Sequence, residues 1–183
     1  MLEVLEQTTE FFQEKGYSAM AGMTSQKFKI IAEEEEQKVH STWSERHVAF
    51  AAGLGTFSLH EGFISEAGCN VRMTSVITDA PLKTTPRKND DPYGNCLFYQ
   101  KEKCKKCINR CPAGAISETG HDKLKCYIYG QKLQHDVIKK HKDLLKPHYR
   151  RINGSDNWSY PVGCALCQFS VPCSSKNPIS ARN

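Results

Sequence analysis

The residues of this chain best suited to chemistry are its cysteines. Nine cysteines occur among 183 residues, and all of them lie between Cys69 and Cys173. An odd number argues against a scaffold of disulfides, and paired cysteines at short spacing are typical ligands of zinc or of iron–sulfur clusters. The sequence therefore predicts a metal-binding protein.

The first group of cysteines consists of Cys96, Cys104, Cys107 and Cys111. From Cys104 onward the spacing is C-x-x-C-x-x-x-C-P, which matches the last three cysteines of the bacterial ferredoxin run. A two-residue gap lets two thiolates on a tight turn bind different irons of one cube, whereas the cysteine before the proline points to another cluster. The run would begin at position 101, which is a lysine. We expect Cys96 to replace it, with residues 97–103 looped out.

The second group is Cys164 and Cys167, with Cys173 after a longer gap and Cys126 alone between the groups. Cross-ligation then divides eight cysteines into two sets of four. The first [4Fe–4S] cluster is predicted on Cys96, Cys104, Cys107 and Cys173. The second is predicted on Cys111, Cys126, Cys164 and Cys167. Cys69 is left over and is expected to be a small buried residue.

A zinc site is the main alternative use of these cysteines. The pairs Cys104/Cys107 and Cys164/Cys167 could form a Cys₄ zinc site. That arrangement leaves the other ligand candidates unexplained and gives Pro112 no purpose. We therefore favour two [4Fe–4S] clusters over zinc, and zinc over structural disulfides.

The composition is that of a folded globular chain with an uneven distribution of charge. Apolar residues make up 39% and charged residues 25%, which excludes disordered and fibrous classes. Residues 1–66 carry a balance of −6 and residues 67–183 a balance of +11. Two oxidised clusters with their thiolates add roughly −4. The remaining positive charge could face an acidic redox partner, or it is simply a solvated surface.

The sequence indicates no membrane segment. The longest uncharged apolar stretch, residues 48–59, is too short to cross a bilayer. Glu3 and Glu6 stand where a secretory signal would carry basic residues. We expect a cytoplasmic protein.

The elements that must position the cysteines can be read from periodicity and turn residues. Apolar spacing predicts a helix over residues 2–15, and a Thr42/Glu45 capping box predicts another over 43–52. Residues 71–78 are expected to form a strand and residues 84–95 a polar loop. Residues 122–146 have a helical period, broken at Gly130. The fold class is therefore α+β. We expect a partial reductase-like α/β segment at 1–91 and a ferredoxin-like domain with two [4Fe–4S] clusters at 92–183.

A basic segment and several histidines complete the candidate sites. Residues 139–151 contain six Lys or Arg and one Asp, so they could bind RNA phosphates or an acidic electron carrier. A solvated helix face explains them equally well. His40, His47 and His60 show no metal spacing and are read as solvated or core residues. A zinc-stabilised module that binds nucleic acid is the corresponding alternative function.

With these motifs the chain resembles the epoxyqueuosine reductase family and its ferredoxin-type relatives over roughly residues 44–175. The motifs that carry the resemblance are Glu45-Arg46, Ala52-Gly53-Leu54-Gly55, Val71-Arg72, Val76-Ile77-Thr78-Asp79, residues 107–116, Cys126 and Cys164-Ala165-Leu166-Cys167. The resemblance implies a cytoplasmic protein whose two [4Fe–4S] clusters pair as above and deliver electrons to a cobalamin. It also implies reduction of a modified tRNA base, and close approach of a flat cofactor to Gly53 and Gly55.

The chain departs from that family at three points. It is shorter than the family at both ends, and we expect it to be an N-terminally truncated relative. Residues 38–42 hold no acid where the family has a catalytic aspartate, and residues 56–59 replace its Trp-Ile-Gly-Lys. We therefore expect an iron–sulfur electron-transfer protein that works with a redox partner protein. A cobalamin-dependent reductase is the alternative, and an exposed half-domain would favour a homodimer.

Overall fold

The computed structural model describes residues 2–33, 38–87, 90–101, 104–152, 155–159 and 163–180. Within these ranges the helices are α1 (Leu2–Glu14), α2 (Glu45–Ala51), α3 (Leu97–Lys101), α4 (Lys106–Arg110) and α5 (Lys123–His141). Short 3₁₀ turns occupy Gly22–Thr24 and Lys142–Leu144. None of the helices in the described part combines the length and the apolar content that a membrane crossing needs.

The strands form five small antiparallel pairs. The pairs are β1 (Ala19–Met20) with β6 (Ile77–Thr78), β2 (Ile30–Glu33) with β3 (Lys38–Ser41), β4 (Gly55–Phe57) with β5 (Phe63–Ser65), β7 (Ile116–Ser117) with β8 (Gly120–His121), and β9 (His148–Ile152) with β10 (Ser155–Ser159). Each described sheet has two strands. Helices and small antiparallel sheets together agree with the α+β class.

The N-terminal helix agrees with the apolar period of its sequence. α1 covers Leu2–Glu14 and buries Leu5, which is 1% exposed. It ends before Gly16, whose φ of +85° is readily adopted only by glycine.

The predicted capping box at the start of α2 is wrong. Ser44 is the N-cap and makes no side-chain capping bond. The Thr42 hydroxyl instead accepts the Lys29 N–H and donates to the Lys27 carbonyl, both at 3.0 Å. Glu45 accepts bonds from the Trp43 indole (3.2 Å) and from the Ser75 hydroxyl (2.6 Å). The side chains of Thr42 and Glu45 are therefore used in other hydrogen bonds and do not form the capping box.

Two other expected elements differ from the structure. Only Ile77–Thr78 of the expected strand is paired, because its partner β1 is two residues long. α5 begins after Asp122, whose side chain accepts the Lys125 N–H at 2.8 Å, and it continues through Gly130 to His141. One glycine destabilises a helix by only about 1 kcal/mol, too little to end one of 19 residues.

The core draws on both sides of the boundary predicted between residues 91 and 92. Its buried members are Leu59, Ile64, Cys69, Cys96, Cys107 and Ile116. Hydrogen bonds also cross the boundary: the Phe57 N–H donates to the Pro92 carbonyl at 2.7 Å, and the Asn95 N–H to the Thr56 hydroxyl at 2.8 Å. The cysteines are thus set among apolar residues from both predicted segments.

Candidate metal centres

Four cysteines from distant parts of the chain line one cavity. They are Cys96, Cys104, Cys107 and Cys173. Much of the wall around them is apolar and includes Leu59, Ile64, Phe98 and Val171. Cys96 stands just before α3, and Cys107 lies in α4. The structure therefore brings together the four residues predicted for the first cluster.

The thiols of this group lie near one another, with Cys96 and Cys107 buried and Cys104 and Cys173 half-buried. Burial, followed by the neighbouring thiols of Cys96, Cys104 and Cys173, raises the pKa of Cys107 to about 12. Burial also raises the pKa of Cys96. Four adjacent thiolates would repel one another in such a place unless a cationic group neutralised them.

The loop bearing Cys173 is held by a close backbone approach from residues 68–70. The Cys69 N–H donates to the Cys173 carbonyl at 2.8 Å, and the Asn70 N–H to the Ser174 carbonyl at 3.0 Å. Gly68 makes this approach with φ +85°, and a Cβ there would lie 2.6 Å from the Ser174 carbonyl oxygen. A side chain at position 68 would push the two segments apart.

The other four cysteines gather in a second group. Burial, followed by the thiols of Cys126, Cys111 and Cys164 and last by Cys107 of the first group, raises the pKa of Cys167 to about 12. The pKa of Cys126 is raised by burial and then by Cys111 and Cys164. One thiol raises the pKa of another in this way only when the two lie close together. The four residues predicted for the second cluster are therefore also neighbours.

The second group is positioned by α4, α5 and the turn after residue 163. Cys111 ends α4, and its Sγ accepts the Ala115 N–H at 3.3 Å. The Arg110 Nε donates to the Leu166 carbonyl at 3.0 Å, which ties α4 to the Cys164–Cys167 turn. Cys126 lies in the first turn of α5, fixed by the Asp122 cap.

The spacing of the thiols within each predicted quartet is wider than a single zinc ion requires. Tetrahedral zinc with Zn–S bonds of about 2.3 Å holds its sulfurs about 3.8 Å apart. Among the described residues, the one group of three ligand atoms within 4.8 Å of one another is His60, Cys69 and Cys173. The predicted quartets are each more open than zinc requires. Eight thiols in two such groups fit iron–sulfur clusters, in which each thiolate binds its own iron.

Sequence reasoning missed the surroundings of Cys173. His60 is 4% exposed, and its Nε2 lies 3.8 Å from the Cys173 Sγ. The Cys69 Sγ lies 4.0 Å from the same sulfur and 3.7 Å from the Gln168 carbonyl oxygen. A hydrogen bond with Cys69, together with burial, raises the pKa of Cys173. His60 and Cys69 are too distant from Cys173 in sequence for any spacing rule to signal the contact.

Backbone conformation and packing within the chain explain why the two positions predicted to approach a cofactor are glycines. Gly53 has φ +74° at the end of α2, and a Cβ there would lie 3.0 Å from the Arg87 Cα. A Cβ on Gly55 would collide with the Ile64 carbonyl on the paired strand β5. Both features follow from packing alone, so cofactor contact at these residues stays a prediction.

The basic segment is only partly described. Residues 139–147 end α5 and enter the following turn, where their side chains are exposed except at Leu145, which is half-buried. The side chains of residues 148–151 lie outside the described residues. His47, near the start of this chain's Gly-rich turn, contacts the Ser44 hydroxyl at 2.7 Å and shows no metal-binding partner among the described residues.

The two groups of cysteines suggest an iron–sulfur redox protein, and a comparison with curated proteins also indicates redox chemistry. Over 74 residues the chain is 47% identical to a tetrachloroethene reductive dehalogenase from Sulfurospirillum multivorans. The match covers 39% of this chain and 14% of that protein. No protein-family model matches, and no solved structure matches. The comparison thus relates part of the chain to a reductase, and a relation to epoxyqueuosine reductases rests on the shared motifs alone.

Proposed function

We propose that this chain is an electron-transfer module with two [4Fe–4S] clusters in a ferredoxin-like arrangement. Cys96, Cys104, Cys107 and Cys173 would hold the first cluster. Cys111, Cys126, Cys164 and Cys167 would hold the second. When bound, such clusters take up and release single electrons, while the protein supplies ligands, insulation and tuning.

The observation that supports this function best is the sorting of eight thiols into two groups. Cys107 lies among the other three members of its quartet, and Cys167 among the other three of its own. Cys107 and Cys111 are four residues apart in one short helix and its cap, yet they face different groups. This arrangement supports the cross-ligation that the Cys-Pro motif predicts, which would keep two redox centres side by side.

Residues of the chain also provide the insulation that the proposal requires. Cys96 and Cys107 are 7% and 8% exposed, and Leu59 and Ile64 of the cavity wall are 1% and 0% exposed. Exclusion of water protects a cluster from hydrolysis and strengthens the effect of each nearby dipole on its potential.

The test is elemental analysis of anaerobically purified protein together with its visible spectrum. We expect about eight iron and eight sulfide per chain, and a broad absorbance near roughly 400 nm that dithionite bleaches. A Cys111→Ala variant should lose the second cluster and keep the absorbance of the first. One zinc with no sulfide would overturn the proposal and favour the zinc-stabilised, nucleic-acid-binding alternative.

A reductase that performs its own chemistry is the second candidate, favoured by the relation to a reductive dehalogenase. The family resemblance adds cobalamin as the cofactor and a modified tRNA base as the substrate. Cobalt in the same sample, with substrate turnover, would establish this function. Eight iron without cobalt, after purification from cells supplied with cobalamin, would leave electron transfer as the function of this chain.

A further inference from the structure

We propose that an acidic electron-carrier protein docks at a cationic cleft above Cys104. The inference rests on the proposed function, because it assigns the place where the first cluster exchanges electrons. The cleft is open to solvent and is lined by Leu97, Lys101, Cys104, Lys105, Lys106, Asn109 and Pro172.

Cys104 connects this cleft with the interior. It lines both the open cleft and the buried cavity that contains the other three thiols of the first group, as do Leu97 and Pro172. Cys104 is half-buried, whereas Cys96 and Cys107 are buried. An electron entering or leaving the first cluster therefore has its shortest route to solvent at the Cys104 side.

The charges of the cleft identify the kind of partner. Lys101, Lys105 and Lys106 supply three positive charges, and all three side chains are exposed. Lys105 pairs with Glu118, whereas Lys101 and Lys106 form no ion pair within the described part of the chain. Cations beside a redox centre attract a negatively charged surface, steer its approach and orient it.

The docking step transfers one electron and makes or breaks no bond. One electron passes between the carrier and the first cluster, so that one is oxidised as the other is reduced. The lysines lie at the rim and not in the cavity wall, so we expect their charge to act on the encounter and not on cluster ligation. Their neutralisation should change the rate of exchange and leave cluster content unchanged.

The experiment uses small redox reagents of opposite charge as probes. Dithionite-reduced, cluster-loaded protein is mixed in a stopped-flow instrument with ferricyanide or with hexaamminecobalt(III). In Lys101→Gln/Lys106→Gln we expect oxidation by ferricyanide to slow about fivefold near 0.1 M salt, for a trivalent anion roughly 10 Å from both charges. Oxidation by the cobalt cation should accelerate, and both effects should shrink at high salt.

Two matched controls separate the effect of the cleft lysines from the effect of the protein's net charge. Lys139→Gln/Lys140→Gln removes the same charge from the exposed end of α5 and should leave both rates nearly unchanged. Lys101→Arg/Lys106→Arg keeps the charge and should react as the original protein does. Equal effects from the two Gln pairs, or no effect from either, would overturn the inference.

Docking of a protein is then measured with an acidic [2Fe–2S] ferredoxin as the probe. Lys101→Gln/Lys106→Gln should weaken its electron exchange, while affinity for a tRNA probe stays the same. Loss of tRNA affinity without loss of ferredoxin exchange would assign the cleft to RNA and defeat the inference. Protein without iron and sulfide would defeat the proposed function itself, whereas loaded protein with charge-independent rates would defeat only the docking site.

Discussion

The contact between His60 and Cys173 predicts that His60 raises the midpoint potential of the first cluster. His60 Nδ1 accepts the Gly62 N–H at 3.1 Å, so the neutral ring carries its proton on Nε2. Nε2 lies 3.8 Å from the Cys173 Sγ, within the range of an N–H···S hydrogen bond. Reduction adds negative charge to a cluster and its thiolates. A buried donor to one thiolate therefore favours the reduced state and raises the midpoint potential.

The magnitude follows from the strength of this hydrogen bond. A hydrogen bond to a charged group contributes about 1.5–3 kcal/mol. The bond exists in both oxidation states, so only its strengthening on reduction counts, and we take about 1 kcal/mol for a contact this long. For one electron, a tenfold change in equilibrium is about 59 mV, and 1 kcal/mol is therefore about 40 mV. His60→Leu should lower the potential of the first cluster by about that amount.

The assay is a redox titration monitored by electron paramagnetic resonance, in which the two clusters are resolved. The second cluster is the internal control, because Cys111, Cys126, Cys164 and Cys167 make no described hydrogen bond with His60. His60→Gln restores an N–H donor and should recover part of the shift. An unchanged or higher potential for the first cluster in His60→Leu, with iron content intact, would refute the reasoning.

Three further predictions concern ligation, geometry and pH. Cys173→Ala should reduce iron from about eight to about four per chain, while Cys69→Ala keeps eight; eight irons in Cys173→Ala would exclude the proposed pairing. Gly68→Ala should lower the free energy of unfolding by more than Gly16→Ala does. Both glycines have φ +85°, but a Cβ at position 68 would meet the loop after Cys173, whereas a Cβ at position 16 would have nothing within 4 Å. Equal losses of unfolding free energy in urea titrations would show that the backbone conformation matters and the contact with the loop does not. Iron and sulfide reconstitution should go further as pH rises from about 6.5 to 8.5, because raised thiol pKa values mean that cluster uptake displaces protons. A reconstitution yield that falls as pH rises, after correction for iron hydrolysis, would contradict this prediction.

Local features were predictable wherever a few neighbouring residues decide the structure. The apolar period predicted α1, and Asp122 with the following helical period predicted the start of α5. The short spacing from Cys104 to Cys111 predicted two thiols in one turn and a third directed elsewhere. These signals act over a few residues, and at these positions the folded structure keeps them.

Features that depend on distant partners were not predictable in the same way. Thr42 and Glu45 match a capping box, yet each has a stronger tertiary partner, and α2 begins without them. Residues 71–76 have the composition of a strand but no neighbour to pair with among the described residues. His60 meets Cys173 only because the turn over residues 58–62 folds against the loop after residue 168, with Gly62 leaving room for the imidazole ring.

The composition of the core explains why ligation and folding should be one process in this chain. Half of the buried residues in the core cluster are cysteines: Cys69, Cys96 and Cys107 pack with Leu59, Ile64 and Ile116. In an ordinary core these positions would be larger apolar side chains that bury surface against one another. Here Cys96 and Cys107 line a cavity, so their neighbours would gain full packing only when a cluster occupies the space. The same cavity is lined from the segment around Leu59, from α3 and α4, and from the loop around Cys173. A cluster bound by Cys96, Cys104, Cys107 and Cys173 would crosslink segments more than 70 residues apart in sequence. Its binding free energy therefore becomes free energy of folding, as in other small metal-dependent domains.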